Sequence, residues 1–103
     1  MEKRKPTHDL NQLKAAFSQV KNLGLATTAT AFRDAQELGF SREDMIAVIQ
    51  SIRAADFYKS MTAYANPQLW QDVYHVRFRG QDMYVKFTSK PEGGYVLLSF
   101  KEK

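Results

Sequence analysis

The chain contains no cysteine and only two histidines, His8 and His75. The first absence removes any disulfide framework and any thiolate zinc site, and the second removes a histidine-rich metal cluster. A thiol-free chain fits the reducing cytoplasm. No apolar run approaches the roughly 20 residues that span a bilayer, so no membrane association is expected. The opening "MEKRKPTHDL" carries charge with no apolar region behind it, unlike a secretory signal. Paired carboxylates at a readable spacing, a P-loop and a Gly-x-Ser-x-Gly elbow are all missing, which disfavours the hydrolases built on them. There is no internal repeat, no low-complexity segment and no linker long enough to divide the chain.

What is present is an ordinary globular composition: 103 residues, 44% hydrophobic and 25% charged, which predicts one domain over 1–103 with a real core. The net charge of +4 is compatible with a nucleic acid or an acidic protein as partner.

Periodicity divides the chain in two. The first half is helical. Asp9 caps a first helix whose Leu10, Leu13, Phe17, Val20 and Leu23 fall on one face, with Gly24 as its stop. "LATT" is a connector or a brief strand. A second helix follows Thr28, turns Phe32, Ala35 and Leu38 inward and ends at Gly39. Ser41 caps a third, with Glu43 and Asp44 at the positive end of the helix dipole and a Phe40–Met45 staple. Its apolar face is Met45, Ile46, Val48, Ile49 and Ile52. After Asp56 the period falls to 2, predicting strands near 57–65, 70–78, 82–88 and 95–102. Helices followed by an antiparallel meander describe an α+β fold, with N-terminal helices packed on one face of a C-terminal antiparallel sheet.

Strand parity then sorts the side chains. In "LWQDVYHVRF" one side holds Trp70, Tyr74, Val76 and Phe78, and the other Gln71, Val73, His75 and Arg77. In the next strand Met83, Val85 and Phe87 oppose Tyr84, Lys86 and Thr88. A two-residue turn at Arg79-Gly80 pairs Val76 with Met83, and a four-residue loop pairs Phe78 with Met83; both join the apolar sets. In the last strand Val96, Leu98 and Phe100 join the core set and Leu97, Ser99 and Lys101 the polar one. Gln71, His75, Arg77, Tyr84, Lys86 and Lys101 therefore share a face on which parity places one acid, Asp82. The strand in "DFYKSMTAY" can bury either side, and alternation leaves Lys59 unplaced.

Such a face is either the solvated side of a half-buried sheet or a surface for a phosphodiester chain. Cations hold phosphates, aromatic rings stack on unpaired bases, and an amide reaches base edges or phosphate oxygens. His75, Arg77 and Lys86 are candidates for RNA contact. RNA can also be cut on such a face without a metal, if its own 2′-hydroxyl attacks the adjacent phosphorus. Lys and Arg then stabilise the phosphorane, while Tyr, His or a lysine depressed by neighbouring cations moves protons.

At "DFYKSMTAY", "LWQDVY" and "LLSFKEK" the sequence resembles the MqsR toxin family, and the opening "MEKR" and the element order agree. The resemblance covers nearly the whole chain. It implies a RelE-like fold and an mRNA interferase that cleaves RNA at GCU or related GC-containing sites, with neither metal nor cofactor. It implies a bacterial cytoplasmic toxin neutralised by a cognate MqsA-like antitoxin that itself binds zinc and DNA. Carried across residue by residue, the implied catalytic set is Lys59 of "FYKS", Gln71 of "WQDVY", Tyr84 of "MYVKF" and Lys101 of "SFKEK". Lys59 and Tyr84 would serve proton transfer or phosphorane stabilisation, and Gln71 and Lys101 would hold RNA. The chain departs from the family pattern at His75-Val76-Arg77, where a basic residue and Pro-Arg are expected, and at the longer Pro91–Gly94 turn. The alternative is a non-catalytic nucleic-acid-binding or regulatory module on the same scaffold.

Overall fold

The computed structural model describes residues 1–18 and 26–103; Val20, Leu23 and Gly24, assigned above to the first helix, lie outside the described residues. The elements are β1 (Glu2–Lys3), α1 (Leu10–Ala16), α2 (Ala29–Glu37), α3 (Arg42–Ser51), a 3₁₀ turn (Ala54–Asp56), β2 (Phe57–Thr62), β3 (Trp70–Phe78), β4 (Gln81–Ser89) and β5 (Tyr95–Glu102). The strands form one antiparallel sheet in the order β1-β2-β3-β4-β5. The fold is α+β, with the helices on one face of the sheet. β1 was not anticipated, because two charged residues carry no alternation to read.

Each described helix starts at the cap its sequence supplies. The side chains of Asp9, Thr28 and Ser41 accept from the backbone N–H groups of Gln12, Ala31 and Asp44. Ser41 and Asp44 complete a reciprocal capping box, satisfying two otherwise orphaned donors. Gly39 follows α2 with φ +86°, a left-handed position that a side chain would strain. The core joins Leu13, Phe17, Ala31, Ala35, Met45, Val48 and Ile49 from the helices to Tyr74, Val76, Met83, Val85, Phe87, Leu97 and Phe100 from the sheet. The Phe87 ring joins the two layers, with ring centroids 5.4 Å from Phe17 and 6.4 Å from Tyr74.

β3 and β4 take the tighter of the two registers: Val76 pairs with Met83 and Phe78 with Gln81. The turn is Arg79-Gly80, with φ of 51° and 79°, the pair of positive values that a type I′ hairpin requires. β2 and β5 depart from plain alternation, each through a bulge. In β2, Phe57 pairs with Tyr74 on the core side and Lys59 with Val73 on the other, so Tyr58 is the extra residue. In β5, Leu97 pairs with Phe87 and Ser99 with Lys86, leaving Leu98 extra. The expected core set of β5 is corrected accordingly: Leu97 and Phe100 are fully buried, whereas Val96 and Leu98 are half-buried. The bulge lets both buried residues face inward although their parity differs. Thr27 bridges to Leu97 in parallel and covers part of the outer edge of β5, so "LATT" includes a single-residue strand contact.

β3 also carries an acid on its core side. Asp72 is completely buried. It accepts from the Thr7 N–H on both oxygens (3.1 and 3.0 Å) and from the His8 N–H on one (2.9 Å). Buried Ser60 shares a 2.9 Å hydrogen bond with Thr7 Oγ1. This knot fixes the segment between β1 and α1 and so sets where β1 lies.

Candidate active site

The open face of the sheet is built in rows by the ladders. His75 pairs with Tyr84, and Tyr84 with Lys101. One step along, Lys59, Val73, Lys86 and Ser99 stand side by side. Beyond them Glu2, Met61, Gln71 and Thr88 line up, and at the other end Arg77 faces Asp82. All four residues implied as catalytic, Lys59, Gln71, Tyr84 and Lys101, are thus on one face, with His75, Arg77 and Lys86 among them. Alternation could not place Lys59 because the bulge at Tyr58 reverses parity just before it. Tyr58 and Lys59 consequently lie on the same side.

The face is more structured than a solvated surface. Val73 points to it yet is fully buried, covered by the long side chains around it. The Tyr58 ring stacks on His75 with centroids 4.2 Å apart and 22° between planes, and Tyr84 lies 5.9 Å from His75 on the other side. Lys101 Nζ is 5.2 Å from the Tyr84 ring and Lys59 Nζ 5.3 Å from the Tyr58 ring, both cation–π contacts. No enclosed pocket forms among the described residues.

The charges are unevenly engaged. Lys59 Nζ donates to Glu2 Oε1 at 2.6 Å, with its side chain only 19% exposed. This bond holds the ammonium above its ordinary pKa and the Glu2 carboxyl below its own. Glu2, unseen in the sequence reading, outweighs the burial that would lower this lysine. Lys86 is lowered first by burial and then by the Lys101 and Lys59 charges. Burial raises the Tyr84 phenol, outweighing the opposing pull of Lys59. Burial lowers the His75 imidazole, and the Lys103 and Lys59 charges lower it further. Arg77 is exposed and bound to Asp82 at 2.9 Å. Among the described residues Lys86 and Lys101 have no acid within ion-pair distance, leaving two uncompensated cations beside Tyr84. No cluster of three potential metal ligands occurs among the described residues.

Sequence reasoning missed Glu2, Tyr58 and Asp72. Asp72 left a readable signal, an acid at core parity between Trp70 and Tyr74. Glu2 left none, since only strand pairing across 57 residues brings it to Lys59.

An open sheet face carrying lysines, a phenol and an amide, backed by a helical layer, defines a class of small α+β protein suited to an extended anionic chain. The chain matches, over residues 5–102, the family described as "Motility quorum-sensing regulator, toxin of MqsA". It is 40% identical, over the full length of both chains, to the mRNA interferase toxin MqsR of Escherichia coli (strain K12). The chain belongs to the MqsR toxin family.

Proposed function

We propose that this chain is an endoribonuclease toxin that cuts messenger RNA at GCU or related GC-containing sites. A cognate MqsA-like antitoxin, itself zinc- and DNA-binding, would neutralise it in the bacterial cytoplasm. Residues 1–103 act as one toxin domain in this reading. The observation that carries it is the convergence of Lys59, Gln71, Tyr84 and Lys101 on one open face. Family membership and the activity named for the Escherichia coli relative support it.

Chemically, the RNA supplies its own nucleophile. The 2′-oxygen attacks the adjacent phosphorus, the bond to the 5′-oxygen breaks, and the products are a 2′,3′-cyclic phosphate and a 5′-hydroxyl. Lys59, kept protonated by Glu2, stabilises the negative charge that grows on the phosphorane oxygens. The Tyr84 phenol, held protonated by burial, gives its proton to the leaving 5′-oxygen. The Gln71 amide and the Lys101 ammonium hold the strand, and Lys86 and Arg77 extend the contact with its phosphates. This route calls on no metal. The test is cleavage of RNA in EDTA with mapped ends, comparing wild type with Lys59→Ala and Tyr84→Phe. We expect cyclic-phosphate ends from wild type, and losses of about 10²–10⁴-fold in each variant with unchanged thermal melting. RNA that is bound in a salt-sensitive manner but never cut would instead identify a binding module.

A further inference from the structure

His75 stands at the centre of the open face. Directly across the β3–β4 ladder is Tyr84, and facing side chains in such a pair stand about 4.5–5.5 Å apart at Cβ, a spacing one phosphodiester can bridge. The Tyr58 ring, placed by the β2 bulge, stacks on one side of the imidazole and fixes its plane. Stacking engages a ring face and leaves the nitrogen edge open. Among the described residues the histidine that hydrogen-bonds through its ring is His8, to the Trp70 carbonyl; the nitrogens of His75 have no protein partner.

The groups around it divide the work of cleavage. From β2 come Tyr58 and Lys59, the latter bonded to Glu2 of β1. From β4 come Tyr84 and Lys86, from β5 Lys101 with Lys103 just beyond, and from β3 itself Arg77 with its partner Asp82. Lys59 is held as an ammonium and Tyr84 as a neutral phenol, so neither accepts a proton near neutrality. Gln71 has no basic atom. Lys86 is lowered, but from a value about 4 units above that of imidazole. His75 is lowered by burial and by the Lys103 and Lys59 charges, which keeps its lone pair free at neutral pH.

We propose that His75 is the catalytic base that takes the proton from the attacking 2′-hydroxyl. The proposal rests on the ribonuclease reading above and completes its proton balance. An imidazole nitrogen accepts the 2′-proton as the O2′–P bond forms. The P–O5′ bond breaks and its electron pair takes the phenol proton of Tyr84. The resulting imidazolium and phenolate return to their starting states by exchanging one proton through water.

The test is steady-state cleavage of a GCU-containing oligoribonucleotide from pH 5 to 9, using the full chain as wild type, His75→Ala, His75→Gln and Tyr84→Phe. Thermal melts verify that each variant is folded. Wild type should lose rate as the pH falls, with unit slope and an inflection below that of free imidazole. Both His75 variants should lose about 10²–10⁴-fold in kcat with little change in KM, and their acidic limb should vanish. Added imidazole should restore part of the rate to His75→Ala. A variant that keeps the acidic limb, or that loses activity only through KM, would reduce His75 to an RNA contact. If folded wild type leaves the RNA intact, the ribonuclease reading falls and the role of His75 with it.

Discussion

The protonation state of Lys59 is decided by one carboxylate. Glu2 at 2.6 Å raises the lysine although burial opposes it. Glu2→Gln should therefore lower the Lys59 titration and pull the alkaline limb of cleavage to lower pH, with the fold intact. A pH–rate profile, or NMR titration of the Lys59 side-chain amine, would read the change. A second titration belongs to the core. Burial, with smaller contributions from Asp72 and Asp9, pushes the Tyr74 phenol up to about 12. Below pH 10 the phenol is neutral in both folded and unfolded chains, so its contribution to stability is fully present. Between about 10 and 12 the unfolded chain ionises first and stability falls as the pH rises. Tyr74→Phe should remove that fall in alkaline urea melts.

At the scale of elements, the β1 arm owes its position to Asp72. Asp72→Ala leaves the Thr7 and His8 N–H groups without their acceptor and should destabilise the fold by about 2–3 kcal/mol in urea unfolding. It should also loosen the Glu2–Lys59 bond, so that cleavage falls in protein that is still folded. The caps and inner strands were legible in the sequence because their signals are local. Asp9, Thr28 and Ser41 sit where the helices start, and β3 and β4 keep strict alternation through a tight turn. For that reason Gln71, His75, Tyr84 and Lys86 fell on one face from parity alone. The outer strands were not legible in this way. A bulge adds a residue whose conformation depends on the neighbouring strand, so alternation gave no side to Lys59 and the wrong sides to Val96 and Leu97. The identity of the site residues came from the family strings, not from periodicity.

For the molecule as a whole, charge and openness act together. The chain carries +4, and on the open face Lys86 and Lys101 are free of acidic partners among the described residues. RNA held there by about three phosphates should show log Kd changing with log salt at a slope of magnitude about 2, and Lys101→Ala should reduce it by about 0.7. Fluorescence anisotropy on a 2′-deoxy-blocked oligonucleotide from 50 to 300 mM salt would measure both without turnover.

The bulges carry a consequence for chain length. β3 and β4 have no residue to spare, so losing one codon there carries every later side chain of the strand through to the opposite surface. β5 holds one residue in surplus. Removing one leucine of the Leu97-Leu98 pair leaves a strand of strict alternation, with Phe100 still inward and Lys101 still outward. In a scan of single-codon deletions, the C-terminal strand should survive a loss that the two central strands cannot.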